Sequence, residues 1–196
     1  MKLQYIPLTQ GQYARVDEKN WGRLMQYSWF AKYNPSSKSF NAYRNKHING
    51  KKHMANMARE ILNLKLNDRS QQADHLSHDT LDNRECNLRI VTCQENQHNS
   101  FGKGYKWKTK SKRWETSIKA DKALIYLGYY HRENEILAAA SYLTAKQILH
   151  PTAPMKILFR LYCKKYNWDK HDLRQTMNRV EKKTLQHITR HKAKHP

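Results

Sequence analysis

Apolar residues occupy every second position in some stretches of the chain and every third or fourth position in others. Short apolar or alternating stretches predict strands at 3–8, 13–16, 29–33, 40–48, 105–108, 113–119 and 124–130, and 51–55 is predicted as the return strand of a hairpin. The longer period predicts helices after Asp17 and at 57–64, 134–149, 155–166 and 169–191. Asn49-Gly50, between two predicted strands, is typical of a hairpin turn. The elements are short and mixed, so the expected fold class is α+β, built from several small modules.

Polar and titratable side chains are concentrated in residues 74–99, which read DHLSHDTLDNRECNLRIVTCQENQHN. The segment opens with Asp74-His75, passes through a polar turn, and enters a short β-type run at 88–92. Thr92 followed three residues later by Glu95 matches the capping-box pattern that begins many helices. The local prediction is therefore strand, turn, strand and helix.

This segment resembles the HNH nuclease family, whose catalytic unit is a ββα-metal module, and most closely its phage and intron-encoded homing endonucleases. The matching positions are Asp74-His75, Asn87-Leu88-Arg89 and Asn96, with Leu81-Asp82-Asn83-Arg84, Val91-Thr92 and Asn99 around them. His78 stands where the family often has glycine, and Ala58 stands where many relatives have histidine. Histidine tolerates left-handed backbone better than a β-branched residue does, so we expect the turn to be retained.

The resemblance implies hydrolysis of DNA phosphodiester bonds to 3′-OH and 5′-phosphate ends. His75 is the expected general base, since an unperturbed histidine has a pKa of about 6.5. Asp74 and Asn96 are the expected ligands of Mg²⁺ or Mn²⁺, and Asn87 is expected to orient His75 by hydrogen bonding. Arg84 or Arg89 is expected to hold the phosphate, and the residues alone do not decide between them.

A second resemblance covers residues 105–150. They are similar to the ethylene-response-factor type of DNA-binding domain, in which a three-stranded antiparallel sheet packs on one helix. The matching residues are Gly104-Tyr105, Trp107, Arg113-Trp114, Ser117-Ile118, Leu127-Gly128-Tyr129-Tyr130, Glu135 and Ala138–Ala140. Such a sheet can lie in the major groove. The candidate DNA contacts are Lys106, Trp107, Lys108, Lys110, Lys112, Arg113 and Lys119, although a packing role for Trp107 is equally expected.

The charge balance points to a polyanionic partner. The 196 residues contain 37 Lys and Arg against 16 Asp and Glu, a formal net charge of +21. Such an excess is typical of nucleic-acid binding, and no apolar run is long enough to favour a membrane. Residues 151–196 carry +9, residues 101–150 carry +6 and residues 1–100 carry +6. We therefore expect double-stranded DNA as the partner, bound mainly by the second half.

The predicted organisation has three parts. Residues 1–100 form the HNH nuclease domain with its ββα-metal core at about 73–100, residues 101–150 form the sheet-plus-helix DNA-binding domain, and residues 151–196 form a basic helical DNA-binding tail. One catalytic unit per chain suits a monomer that nicks or a dimer assembled on DNA. Two alternatives stay open: a non-catalytic sequence-specific DNA-binding regulator, and an RNA-directed or nonspecific nuclease toxin.

The cysteine content bears on compartment and cofactor. Cys86, Cys93 and Cys163 form no C-x-x-C pair, so no structural zinc is expected. They are interpreted as reduced thiols of a cytoplasmic, nucleoid-associated protein in a bacterial or phage-infected cell.

Overall fold

The computed structural model describes residues 2–66, 68–120 and 123–194. The chain divides into two compact units, residues 1–96 and 97–196. Both units mix helices with small antiparallel sheets, so the predicted α+β class is confirmed. The boundary differs from the predicted 100/101, and the predicted domain at 101–150 and tail at 151–196 belong to one unit.

Unit 1 contains three small antiparallel sheets with short helices between them. Its elements are β1 (Leu3–Pro7), β2 (Tyr13–Asp17), α1 (Glu18–Leu24), β3 (Phe30–Asn34), β4 (Ser39–Ile48), β5 (Lys51–Asn56), α2 (Met57–Ile61), β6 (Gln72–His75) and β7 (Leu88–Val91). The last helix, α3 (Cys93–His98), extends across the boundary between the units. The sheets pair β1 with β2, β3 with β4 and β5, and β6 with β7.

Local chemistry explains several element ends. Asn49 and Gly50 both have positive φ, 49° and 72°, as a tight hairpin between β4 and β5 requires. The Asn56 side chain accepts a hydrogen bond from the Arg59 amide at 3.2 Å and caps α2. This helix ends at Ile61, earlier than the predicted Leu64, and Asn63 just beyond it has a left-handed φ of 54°.

The core of unit 1 gathers apolar residues from both ends of its sequence. Its buried members are Ile6, Ala14, Val16, Leu24, Trp29, Ala42, Met57, Ala58, Ile61 and Leu88. Leu88 belongs to the 74–99 segment, so that segment is anchored on the preceding sheets and helices. At about 25 cal/mol per Å² of buried apolar surface, each large side chain contributes roughly 1.5–3 kcal/mol to this anchoring.

The described residues of unit 2 form one sheet and three longer helices. Its elements are β8 (Tyr105–Lys108), β9 (Arg113–Ala120), β10 (Ala123–His131), α4 (Glu135–Leu149), α5 (Met155–Tyr166) and α6 (Lys170–Lys194). The strand order is β10-β9-β8. The apolar residues of α4 that are fully buried include Ala138, Ala139 and Ala140, whose small side chains allow neighbouring elements to approach closely.

The helix α6 is part of this core and is not a separate tail. Leu173, Val180 and Ile188 are buried in the same cluster as Ile118 of β9. The Ser141 and Thr184 hydroxyls hydrogen-bond to each other at 3.0 Å in the buried contact between α4 and α6. The prediction of one apolar face along this helix was right, and the structure adds what covers it. No helix in the described ranges combines the length and apolarity that crossing a bilayer requires.

Candidate active site

The 74–99 segment folds as a strand pair followed by a helix. β6 pairs with β7 so that Asp74 lies opposite Arg89 and His75 lies opposite Leu88. Glu95 Oε2 accepts a hydrogen bond from the Thr92 amide at 2.8 Å, and Thr92 Oγ1 accepts one from the Glu95 amide at 3.2 Å. This reciprocal pair is the predicted capping box at the start of α3. The element order strand, turn, strand, helix is confirmed.

The loop between β6 and β7 has a defined path. His78 has a φ of 63°, so the turn takes the left-handed conformation that was expected of it. The Asn87 side chain spans the loop: its Oδ1 accepts from the Ser77 amide at 2.9 Å and its Nδ2 donates to the Asp82 carbonyl at 2.8 Å. Asn87 is thus placed to hold the loop closed.

The N-terminal elements hold the other side of this loop. The Arg15 amide of β2 donates to the Leu81 carbonyl, and the Asn83 amide donates to the Arg15 carbonyl, both at 2.8 Å. Asp17, predicted to cap α1, makes no such cap and instead accepts from the Glu85 amide at 2.8 Å. The first 25 residues therefore fix the backbone of the loop that carries Asn83.

His75 is buried at the end of β6, and its ring contacts the side chain of Asn83. His75 is 9% exposed and Asn83 is 1% exposed, and His75 Nε2 lies 3.2 Å from Asn83 Oδ1. An amide oxygen only accepts hydrogen bonds, so this contact is a hydrogen bond when the ring hydrogen is on Nε2, and in that tautomer Nδ1 is the basic nitrogen. The side chain of Asn87 bonds to the backbone of the loop, and its predicted role in orienting this ring stays a prediction.

The environment of His75 favours its neutral form, which is the form that can act as a base. Burial lowers the pKa of His75 below its ordinary value of 6.5. The hydrogen bond that the ring donates to Asn83 and the negative charges of Asp74, Asp79 and Asp82 oppose this effect without reversing it. The imidazole is therefore neutral at pH 7 and able to accept a proton.

The side chain of Gln72 brings Asn96 close to the strand that carries Asp74. Asn96 Nδ2 on α3 donates to Gln72 Oε1 at 2.6 Å. Gln72 and Asp74 are two residues apart on one strand, so their side chains leave the same face of β6, about 7 Å apart. Asn96 therefore approaches the face from which Asp74 projects. Its side-chain nitrogen is hydrogen-bonded to Gln72, and its side-chain oxygen is the atom suited to binding a cation.

The donor types fit a hard divalent ion, because carboxylate and amide oxygens are what Mg²⁺ and Mn²⁺ prefer. Asp74 is 6% exposed, and its Oδ2 is held by Arg89, with both Nε and Nη2 at 2.8 Å. Among the described residues, no group of three or more His, Cys, Asp or Glu side chains is placed to hold a metal. The predicted pair contains a single carboxylate, so an ion held there would need further oxygen ligands beyond these two side chains.

Both arginines predicted to hold phosphate make ion pairs inside unit 1. Arg89 pairs with Asp74 across the strands, as described above. Arg84 pairs with Asp82 through two hydrogen bonds, Nε at 2.7 Å and Nη2 at 2.6 Å. Arg84 and Asp82 are neighbours in the loop and Asp82 is buried, so this pair contributes to loop structure.

A cleft of about 320 Å³ lies beside His75. Its other walls come from β4, β5, α2 and β6, and they include Asn41, Tyr43, Met54, Asn56, Arg59 and Gln72. Of these, the Arg59 guanidinium donates hydrogen bonds to the backbone carbonyls of residues 65, 68 and 71. Sequence reasoning missed Asn83 and Gln72. Asn83 was within the matched motif, whereas nothing in the sequence singled out Gln72.

The predicted DNA contacts of unit 2 fall on two different faces of its sheet. Strand pairing puts Lys106 beside Glu115 and Lys108 beside Arg113, and Lys119 follows on the same face. Lys110 and Lys112 lie in the turn between β8 and β9. Trp107 pairs with Trp114 on the opposite face, which packs towards α4, so Trp107 does not share a surface with the strand lysines.

Glu115 changes the charge of the lysine face. It is 6% exposed, it lies 3.3 Å from the ammonium groups of both Lys106 and Lys108, and it accepts a hydrogen bond from Tyr129 at 3.0 Å. Two of the predicted cationic contacts are thus partly neutralised, while Arg113 and Lys119 are exposed.

Comparison with protein-family models, with curated proteins and with solved structures finds no match to this chain.

Proposed function

We propose that this protein is a metal-dependent DNA endonuclease of the HNH homing type, with His75 as the general base. The observation that carries the proposal is the buried His75, neutral at pH 7 and held by Asn83, next to Asp74 in a strand pair whose helix brings Asn96 to the same strand. The resemblance of residues 74–99 to the HNH family gives these side chains their proposed roles.

The proposed chemistry assigns each side chain one task. His75 Nδ1 takes the proton from the attacking water, and Asn83 keeps the ring in the tautomer that allows this. Asp74 and Asn96 would hold a Mg²⁺ or Mn²⁺ ion, which supplies charge stabilisation for the phosphate and the leaving 3′-oxygen. Arg89 forms an ion pair with Asp74, so of the two arginines it is the better placed to reach a phosphate bound beside Asp74.

Double-stranded DNA is the proposed partner, and the charge distribution supports it. Unit 2 carries 22 Lys and Arg against 7 Asp and Glu, which is +15 of the total +21. We propose that unit 1 cuts and that unit 2 supplies most of the phosphate contacts. With one catalytic unit per chain, a monomer would nick, and a double-strand break would need a dimer assembled on DNA.

Nicking of supercoiled plasmid tests the proposal. The native chain with Mg²⁺ should give nicked circles or linear product, and EDTA should abolish both. His75→Ala should reduce the rate by roughly 10²–10⁴-fold, the usual contribution of a general base. His47→Ala, an exposed histidine of β4, is the matched control and should cut at the native rate.

The second candidate is a non-catalytic DNA-binding regulator, which the buried Arg89–Asp74 ion pair favours because a guanidinium already neutralises this carboxylate. That function predicts duplex binding unaffected by EDTA and no strand cleavage with any divalent metal. The plasmid assay separates the two, since cutting that depends on His75 is incompatible with a purely binding protein.

A further inference from the structure

Unit 2 contains a cleft of about 730 Å³ at one end of its sheet, where the β8–β9 turn lies close to the end of β10. Trp107 and Trp114 form its apolar walls, and Thr109, Lys112, His131, Arg132 and Glu133 complete it. This volume is within the range of pockets that hold a small organic group, about 300–1,000 Å³. Neither the proposed catalytic residues nor the lysine face of the sheet uses it.

The two indole rings pack edge-to-face against each other. Their centroids are 5.1 Å apart and their planes meet at 67°. Trp114 is held in place, because its Nε1 donates to the Arg132 carbonyl at 3.0 Å and its ring packs edge-on against Tyr105 at 5.5 Å. Trp107 is only partly buried, and its side chain lines the cleft.

The rim of the cleft is cationic. Its cations are the exposed side chains of Lys112 and Arg132, opposed by the carboxylate of Glu133, and His131 is exposed beside them. The Arg132 guanidinium carbon lies 6.0 Å from the centroid of the Trp107 ring. A planar base stacked on both sides needs roughly 7 Å, twice the base spacing of about 3.4 Å. An outward movement of about 1 Å by this exposed side chain would therefore admit a base.

We propose that this cleft binds one unpaired nucleotide of a DNA strand, with its base between Trp107 and Arg132 and its phosphate at the cationic rim. Aromatic walls with a basic rim are the combination that binds single-stranded nucleic acid by stacking and charge. In an intact duplex each base face is covered by its neighbours, so only an unpaired base can stack here.

The position of the cleft supports an occupant that has left the duplex. Trp107 and Trp114 lie on the helix-packed face of the sheet, opposite the face that carries Lys106 and Lys108. A duplex lying on the lysine face cannot present its bases to the cleft. β8 is an edge strand, so a displaced strand can pass around it. The inference rests on the proposed DNA-binding function and adds a second, distinct contact to it.

Fluorescence anisotropy at low salt tests the proposal with two labelled 20-bp duplexes, one fully paired and one with a single unpaired thymidine. The native chain should bind the bulged duplex more tightly. Trp107→Ala should weaken binding of the bulged duplex by roughly 5- to 100-fold, the usual loss of one stacked base. Its effect on the paired duplex should be less than twofold, and Trp107→Phe should retain the preference.

One further variant tests the role of the cleft, and another serves as a control. Arg132→Ala changes an exposed side chain, so it should leave the fold intact while reducing the preference for the bulged duplex. Trp21→Ala, which alters an exposed tryptophan of unit 1, is the matched control and should leave the preference unchanged.

Equal losses on both duplexes in Trp107→Ala and Arg132→Ala would overturn the proposal, and so would equal native affinities for the two. Binding of free thymidine monophosphate as tightly as of the bulged duplex would also overturn it, because the occupant would then be a free nucleotide. A native chain that binds neither duplex would remove the DNA-binding function itself, whereas tight binding without preference would remove only this cleft.

Discussion

Replacement of Asn83 by alanine isolates the contact that holds His75. Asn83 is 1% exposed and lies 3.2 Å from His75 Nε2, so the substitution takes an acceptor away from a buried donor. Such a loss costs roughly 1–3 kcal/mol of stability. The loop backbone should keep its path, because the amide of residue 83 still donates to the Arg15 carbonyl of β2.

Substitution of Asn83 should also change the pKa of His75, in a direction that the structure predicts. The Asn83 hydrogen bond raises the pKa of His75, while burial, the larger effect, lowers it. Asn83→Ala should therefore lower this pKa further and move the acid limb of the kcat/KM profile to lower pH. Asn83→Asp adds a negative charge beside Nε2 and should move the acid limb in the opposite direction.

The expected loss of rate follows from orientation. At pH 8 the imidazole is neutral in both proteins, so protonation cannot explain a difference there. Removal of the partner that orients a functional histidine typically costs about 10–100-fold, and we expect this loss for Asn83→Ala on the pH plateau. Asn83→Asp keeps an acceptor oxygen and should lose less.

Plasmid nicking with saturating Mg²⁺ between pH 5 and pH 9 measures both effects, and NMR titration of the His75 ring in metal-free protein checks the pKa directly. Asn45→Ala, at an exposed position of β4, is the control. A plateau rate within twofold of native, or an acid limb that moves to higher pH in Asn83→Ala, would refute the role of Asn83. The melting temperature should fall in Asn83→Ala and stay unchanged in the control.

Two other substitutions test ion pairs that the sequence did not suggest. Arg89→Gln withdraws the guanidinium from Asp74 Oδ2, so metal-free protein should bind Mn²⁺ several-fold more tightly in calorimetry; unchanged or weaker binding would show that Arg89 does not compete for this carboxylate. Glu115→Gln removes the charge that neutralises Lys106 and Lys108, so the affinity for duplex DNA should rise. The plot of log affinity against log salt concentration should become steeper, by the equivalent of up to about two phosphate contacts. An unchanged slope would show that these lysines do not reach the DNA.

Local patterns in the sequence predicted local structure well, because the responsible forces act within a few residues. The capping box of Thr92 and Glu95, the hairpin at Asn49-Gly50 and the left-handed His78 all depend on neighbours in the chain. Most predicted strands and helices agree with the observed elements to within one or two residues at each end. Periodicity and turn chemistry are sufficient at this scale.

Side-chain partners were less predictable, because they depend on contacts between distant segments. Asp17 has the sequence context of a helix cap, yet its carboxylate binds the amide of Glu85, 68 residues away. Asn83 and Asn87 are both amides in the same motif, and their roles are distinguished only by the path of the loop. That path is set by hydrogen bonds to Arg15, which no local pattern reveals.

The separation of Trp107 from its neighbouring lysines could have been predicted from the sequence. Trp107 lies between Lys106 and Lys108, and successive residues of a strand point to opposite faces. The alternation alone separates the indole from the two ammonium groups, and the pairing of Trp107 with Trp114 agrees with it. Any DNA contact of Trp107 is therefore separate from those of the two lysines.

The packing of α6 changes how the charge of the chain acts. Its apolar face is buried with Leu173, Val180 and Ile188, so its exposed cations are carried by an ordered helix that shares a core with the sheet. A flexible basic tail would offer the same charge to any polyanion in any arrangement. Cations on a rigid unit present a fixed pattern, which favours phosphates at matching spacings and costs less conformational entropy on binding. Since +15 of the net charge lies in unit 2 and the proposed catalytic residues lie in unit 1, substitutions should be able to change affinity and cutting separately.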